Sequence, residues 1–420
     1  MSHSKYLVVG SSHAGLSAVE AIRLIDEKSP LTLVSREETL PYSPTILPYV
    51  ISGLANPKEI HLRGEAELNV LGVTFKRGAE VTSVNPAAQT VSLASGEGLS
   101  YERLLLATGA EPVLPPIAGL REVPYYVLRT LEDAMRLRRA VERAGSAVVL
   151  GAGLVGMHAA ESMARCGIRV TVVEALPRVL PGYFDGKAAG LIQKVFTGQG
   201  IRILHGSAVT RVTASNGACV ASLASGKDLS ADLLLVATGV KSRIGYLAES
   251  GVEVDEGIVV DDNMRTRVGG IWAAGDVAQA RGFFNSAKRV IATLPSAVEQ
   301  GRIVGMDMVG DSSLKPYNGG ISLNTYRFFG HRAFCAGLST VSRSTEDMEV
   351  NEVFLPTGLR YQKLVFQDDL LVGVASINTE LDPGIMCQLI RGRVDLGKIK
   401  GRFAAAPLET GRILMSRIWG

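Results

Sequence analysis

The chain has 420 residues, with 44 Lys and Arg against 41 Asp and Glu, a formal charge of +3, and 46% apolar residues. So small a net charge gives no support to a nucleic-acid binder, and 46 glycines with few aromatics describe an α/β enzyme built on tight turns, not a disordered or fibrous chain. Four cysteines, Cys166, Cys219, Cys335 and Cys387, lie too far apart for a CxxC pair, a zinc set or an iron–sulfur cluster.

No apolar run reaches membrane-spanning length, and no signal peptide fits before the first strand, so a cytoplasmic protein without a metal site is expected. Its length suggests two to three domains. A strand over Lys5–Val9 breaks into the turn Gly10-Ser11-Ser12-His13-Ala14-Gly15. A helix over Leu16–Ile25 and a strand over Leu31–Ser35 complete a βαβ opening. Further on, YERLLLATGA places a buried strand from Leu104 to Leu106 ahead of Ala107, Thr108 and Gly109. The stretch PVLPPI, stiffened by Pro115 and Pro116, reads as a linker.

The plan then repeats, with a strand at Ala147–Leu150, the turn GAGLVG at Gly151–Gly156 and a helix over Met157–Arg165. The strand RVTVVE follows, and ADLLLVATGV supplies a second Ala-Thr-Gly strand end at Gly239. This is an internal duplication. GIWAAGDVAQA gives a short strand ending at Gly275 and Asp276, and a helix follows over Ser296–Val309. From about Tyr317, SLNTYRFF, NEVFLP and YQKLVFQDDLLVGVASIN alternate as strands before a basic helical tail. The expected fold is α/β: two Rossmann-like dinucleotide-binding domains, residues 1–112 with 245–315 and residues 113–244, plus a C-terminal α+β domain over 316–420.

In such a turn the first glycine bends the chain, the second lets the backbone approach a pyrophosphate, and the third lets helix and strand pack closely. Gly151, Gly153 and Gly156 fill all three roles, and the amides that open the helix at Leu154 and Val155 face the phosphates. Glu174, ending the second strand, suits the ribose hydroxyls and opposes a 2′-phosphate, favouring NAD over NADP; alternatively it only caps a loop. In the first turn Gly10 and Gly15 keep their roles, and Ser12 brings a hydroxyl able to donate to a phosphate oxygen. His13 faces either those phosphates or, the favoured reading, solvent.

The order of first turn, LLLATG, second turn, LLLVATG and WAAGD resembles the pyridine nucleotide–disulfide oxidoreductase superfamily. The resemblance implies FAD in the first fold, with Gly10, Ser12, His13, Ala14, Gly15, Ala107, Thr108, Gly109, Gly275 and Asp276 around it. It also implies NAD in the second, at Gly151, Gly153, Leu154, Val155, Gly156, Glu174 and Gly239. Asp276 inherits the aspartate that bonds the flavin ribityl chain; read alone, it is a helix cap before Val277–Ala280. The helix near Pro295 and Ser296 resembles the one whose N-terminus faces the flavin pyrimidine ring.

Three positions depart from the family pattern. Thr45 stands where relatives carry a redox cysteine, so no thiol cycle is expected. Tyr49 and His158 occupy the places of a lysine and a glutamate near the flavin; they form a hydrogen-bonding pair, or His158 only fills a packing seam. At the FAD ribose either Glu37 serves, or Arg36 lies over the adenine.

GSSHAG, LPYSPTILPYVISG, VVLGAGLVGMHAAE, GYFD, LNTYRFFG and GRILMSRIW resemble more closely one group of that superfamily, the NADH-oxidoreductase (epsilon) subunits of phenylglyoxylate dehydrogenases. That resemblance implies a subunit that takes electrons from an iron–sulfur, ferredoxin-like partner and reduces NAD+ through FAD. Companion thiamine diphosphate-dependent 2-oxoacid oxidoreductase subunits would form benzoyl-CoA and carbon dioxide. Arg391, Arg393, Lys398, Lys400, Arg402, Arg412 and Arg417 make either a docking surface for the acidic partner or an ordinary solvated face. A free-standing NADH-dependent ferredoxin or rubredoxin reductase, and a non-catalytic dinucleotide-binding scaffold, remain as alternatives.

Overall fold

The computed structural model describes residues 2–418 except Asn216 and Ser342; the side chain of Arg417, counted above in the basic tail, lies outside that description. The first sheet is built on parallel strands in the order Val73–Lys76, Leu31–Val34, Ser2–Val9 and Gly98–Leu106. Antiparallel Thr90–Leu93 and Val81–Asn85 extend it, and Ile271–Ala273 pairs with Leu104–Leu106. Leu31, Leu33, Val34 and Leu104–Leu106 are buried, as expected of parallel strands covered on both faces. Val9 lies between Val34 and Leu106, so three strand ends converge where the first glycine turn begins.

The second sheet repeats this arrangement with Arg202–Leu204, Arg169–Val173, Ser146–Leu150 and Leu233–Val236, and Leu150 lies between Val173 and Val236. Between the two sheets the chain crosses on antiparallel Ala110–Pro112 and Val240–Ser242. A small sheet of Val209–Ser215, Ala218–Leu223 and Asp228–Ala231 covers the second. A five-stranded antiparallel sheet follows, ordered Leu323–Phe328, His331–Gly337, Leu370–Ile377, Arg360–Gln367 and Glu349–Leu355. Helices Pro383–Arg391, Lys400–Ala405 and Pro407–Ile418 pack on it.

The glycine-turn helices run His13–Arg23 and Leu154–Arg165, starting before the residues expected because the third glycine of each turn sits inside the first helical turn. Leu294–Val309 crosses His13–Arg23 closely: a Cβ on Gly301 or Gly305 would meet the Ala14 or Ala18 carbonyl oxygen. That contact brings the start of the later helix to the first turn. After Asp276 the chain forms the strand Ala278–Arg281, so Asp276 caps no helix. Among the described residues, no helix is long and apolar enough to cross a membrane, and no cluster of side chains suits a metal ion.

Candidate functional site

The two glycine turns are built alike. Gly10 and Gly151 have φ of 116° and 101°, and their amides each donate at 2.8 Å to the end of the neighbouring strand, at Val34 and Val173. A Cβ on either would strike the carbonyl of the Ala-Thr-Gly strand end, Ala107 or Ala237. A Cβ on Gly15 or Gly156 would strike the carbonyl of its own first glycine. These four positions therefore admit no side chain without moving backbone.

The middle position obeys a different rule. Ser12 (φ −86°, ψ −162°) and Gly153 (φ −74°, ψ −178°) are both helix N-caps in extended backbone, and a Cβ on Gly153 would meet nothing. Serine is thus unstrained there, and its hydroxyl makes no capping bond, so it is available on the surface of the turn.

That surface opens into a cavity of about 1150 Å³, larger than a drug-sized pocket and suited to an extended dinucleotide. Gly10, Ser12, His13 and Ala14 line it, as do Arg36, Glu37, Thr45, Ala107, Thr108, Gly109, Gly275 and Asp276. Gly15 is buried beneath the turn. The second turn and its helix contribute Leu154, Val155 and His158 to the same cavity, whereas Gly151, Gly153, Gly156, Glu174 and Gly239 lie outside it. The start of the Leu294–Val309 helix also reaches the cavity through Thr293, Leu294, Pro295 and Ala297. The dipole of that helix presents a partial positive charge there.

His13 is half-buried on the cavity wall. Its Nε2 lies 2.9 Å from Ser43 Oγ, which lies 2.8 Å from Thr45 Oγ1, and burial lowers its pKa against the opposing charge of Asp276. Asp276 accepts from Arg129 Nη2 at 2.9 Å, and Gly275 is fixed by its amide donating to Gln300 Oε1 at 2.8 Å. Glu37 accepts from the Tyr42 hydroxyl at 2.7 Å, which itself accepts from the Leu131 amide at 2.8 Å. Arg36 lines the cavity with its pKa lowered, first by burial and then by the charge of Arg243.

Arg129 was missed by the sequence reading. The signal for it is the capping box at Thr130 and Asp133, which starts a helix and leaves Arg129 just ahead of it. Tyr183 and Tyr326, from GYFD and LNTYRFFG, line the cavity as well.

Tyr49 and His158 both line the cavity, but no hydrogen bond joins them among the described residues. Their ring centroids are 6.1 Å apart, and His158 packs more closely on Tyr326, at 4.6 Å. His158 Nε2 and the Tyr326 hydroxyl are buried without partners. Burial holds the His158 pKa down to about 4, against the backbone of Arg327, and pushes that of Tyr326 well up. No cysteine lines the cavity, and burial lifts all four thiols, Cys335 to about 12. The thiolate that redox cycling needs is thereby disfavoured.

Part of the basic tail is paired. Arg391 pairs with Glu299 at 2.6 Å, Lys400 with Glu349 at 2.6 Å and Arg402 with Glu409 at 3.7 Å, while Arg393 lies over the Phe283 ring. Of the others, Lys398 and Arg412 are exposed. Glu174 has both carboxylate oxygens engaged, accepting from the Ala152 amide at 2.7 Å and the Leu176 amide at 2.9 Å. A carboxylate has further lone pairs to offer, so it braces the second turn and still has acceptor capacity for a ribose.

The sequence profile of the pyridine nucleotide-disulphide oxidoreductases matches residues 4–301. The NADH-dependent phenylglyoxylate dehydrogenase subunit epsilon of Aromatoleum evansii is 47% identical over 418 residues, which is 99% of this chain and 98% of that one. The rubredoxin-NAD(+) reductase of Pseudomonas putida is 32% identical over 314 residues, covering 74% and 81% of the two chains. Among solved structures, the water-forming NADH oxidase of Lactobacillus brevis bound to NADH superposes with a TM-score of 0.84 at 22% identity, over 94% of this chain and 92% of the other.

Proposed function

Since the chain belongs to the pyridine nucleotide-disulphide oxidoreductase family, and is an FAD-dependent NAD(H) oxidoreductase, we propose that it is the NAD+-reducing subunit of a phenylglyoxylate dehydrogenase. It takes electrons from an iron–sulfur partner while thiamine diphosphate-dependent subunits oxidise the 2-oxoacid to benzoyl-CoA and carbon dioxide. The observation that carries this reading is likeness along essentially the whole of both chains, at 47% identity. The thiol-free cavity supports it, because a cavity without a redox cysteine suits exchange of electrons between flavin and an external carrier. The division into residues 1–112 with 245–315, 113–244 and 316–420 belongs to the same reading.

FAD, when bound, joins one-electron carriers to the two-electron nicotinamide. The residues present fit it: the first turn is a bare cradle with a free hydroxyl, and the adjoining cavity has the reach of a dinucleotide. Gly10, Ser12 and Gly15 form the pyrophosphate turn; Arg129 supplies positive charge beside it, and Asp276 an acceptor for sugar or ribityl hydroxyls. Glu37, held by Tyr42, offers a second acceptor. On the other wall, Leu154, Val155 and His158 open the nicotinamide side, where positioning provides most of the rate. Burial holds His158 in its neutral form at physiological pH.

Purification of the tagged chain from its native cell, without oxygen, tests the proposal. Companion subunits carrying iron and thiamine diphosphate are expected. A chain that elutes alone and reduces rubredoxin or ferredoxin from NADH replaces this reading with a free-standing reductase.

A further inference from the structure

The segment GYFD ends in a buried ion pair that the proposed electron path does not use. Lys363 is fully buried in the C-terminal sheet, and its Nζ donates to Asp185 Oδ2 at 2.7 Å and to the Val341 carbonyl at 2.8 Å. Asp185 Oδ2 also accepts from the Tyr361 hydroxyl at 2.5 Å, and Oδ1 accepts from the Ala188 amide at 3.0 Å, capping the helix Gly186–Gly198. Around this pair Glu352 Oε2 lies 3.1 Å from the Tyr361 hydroxyl, whose one proton serves Asp185 at the shorter distance, and Glu352 is bonded by Lys187. Burial works to raise the Asp185 pKa, and the bonds from Lys363, Tyr361 and the Ala188 amide outweigh it.

A buried ion pair is a weak source of stability, because desolvation offsets most of the attraction; its better-attested use is to fix one arrangement. What is fixed here is the segment just before Asp185. Leu180, in left-handed backbone at φ 49°, donates its amide at 2.8 Å to the carbonyl of Ala152, inside the GAGLVG turn. Tyr183 reaches the cavity wall, and its carbonyl accepts from Ser339 of the C-terminal unit at 3.0 Å. Arg178 ties the stretch together through the carbonyls of Pro181 and Phe184.

We propose that Lys363 and Asp185 are positioning residues for the nicotinamide nucleotide, through which the C-terminal sheet holds the second glycine turn and Tyr183 in place. This rests on the reading that the turn binds NAD(H).

The test is NADH affinity, measured by titration, in the double variant Lys363→Met/Asp185→Asn. Asparagine keeps an oxygen for the Ala188 amide, and the pair of changes leaves no uncompensated charge. The dissociation constant and KM for NADH are expected to rise about tenfold while FAD content and kcat at saturating NADH stay within about twofold. Tyr361→Phe, which removes one hydrogen bond and no charge, is expected to give a smaller rise, about two- to threefold, and serves if the double variant fails to fold. Unchanged NADH affinity in the folded link variants, with binding weakened by Gly153→Val, overturns the proposal. Unchanged affinity in Gly153→Val as well overturns the assignment of the turn to NAD(H).

Discussion

Ser12 offers the sharpest test of how the first turn meets its cofactor. Its backbone is extended and its side chain caps nothing, so replacement by glycine or by valine leaves the turn's own geometry intact. Ser12→Gly restores the residue found at the equivalent Gly153. It forfeits one hydroxyl bond to a charged oxygen, worth about 1.5 kcal/mol at the lower end for such bonds, and regains part of that through closer backbone approach. Weakening of FAD binding by less than about tenfold is expected. Ser12→Val loses the same bond and sets two methyl groups against the pyrophosphate, where overpacking adds about 1–3 kcal/mol. The sum, about 2.5–4.5 kcal/mol, corresponds to roughly 60-fold to 1,500-fold in Kd. The assay is titration of flavin-free protein with FAD, followed by flavin fluorescence, with circular dichroism confirming the fold. A folded Ser12→Val variant that binds FAD as tightly as the parent would refute the approach of this turn to the pyrophosphate.

Other outcomes follow from the same geometry. Arg129→Met leaves Asp276 without its cation, and FAD affinity should fall about tenfold, read by the same titration, because a charge-assisted contact is lost. Unfolded, His158 takes a proton near its ordinary 6.5; folded, it does so only near 4, so stability is complete above about 6.5 and declines as pH falls toward 4. His158→Phe should therefore lose less melting temperature than the parent between pH 7.5 and 5; an equal or greater loss contradicts the buried, neutral ring. Glu174→Gln should narrow the preference for NADH over NADPH, measured as the ratio of kcat/KM values, and a parent enzyme that prefers NADPH would contradict its assigned role. Alkylating the accessible thiols should leave flavin reduction by NADH unchanged in stopped-flow mixing.

The parts of the fold legible in the sequence were those dictated by local rules. Gly10, Gly15, Gly151 and Gly156 occupy positions that a Cβ would obstruct, and the apolar runs Leu104–Leu106 and Leu233–Val236 are buried parallel strands. Those constraints act within a few residues and leave a visible pattern. The pairing of Arg129 with Asp276 joins residues 147 apart, and no local rule records it. The contact of His13 with Ser43 is hidden for the same reason, since Ser43 arrives from a different element. The pairs Arg391 with Glu299 and Lys400 with Glu349 likewise join residues far apart in the chain, and a count of local charge does not record them. Thr45 was read from its place in the family pattern, and the structure adds its hydroxyl contact with Ser43 at the cavity wall.

The proposed function has electrons leave a 2-oxoacid oxidoreductase through this chain. It is tested most directly by assaying the purified complex for NADH formation from phenylglyoxylate, CoA and NAD+, with and without FAD-loaded protein of this sequence. NADH formation that depends on the 2-oxoacid and CoA, and is lost when this subunit is removed or stripped of FAD, is the predicted result. NADH formed at an undiminished rate without the subunit would contradict the claim.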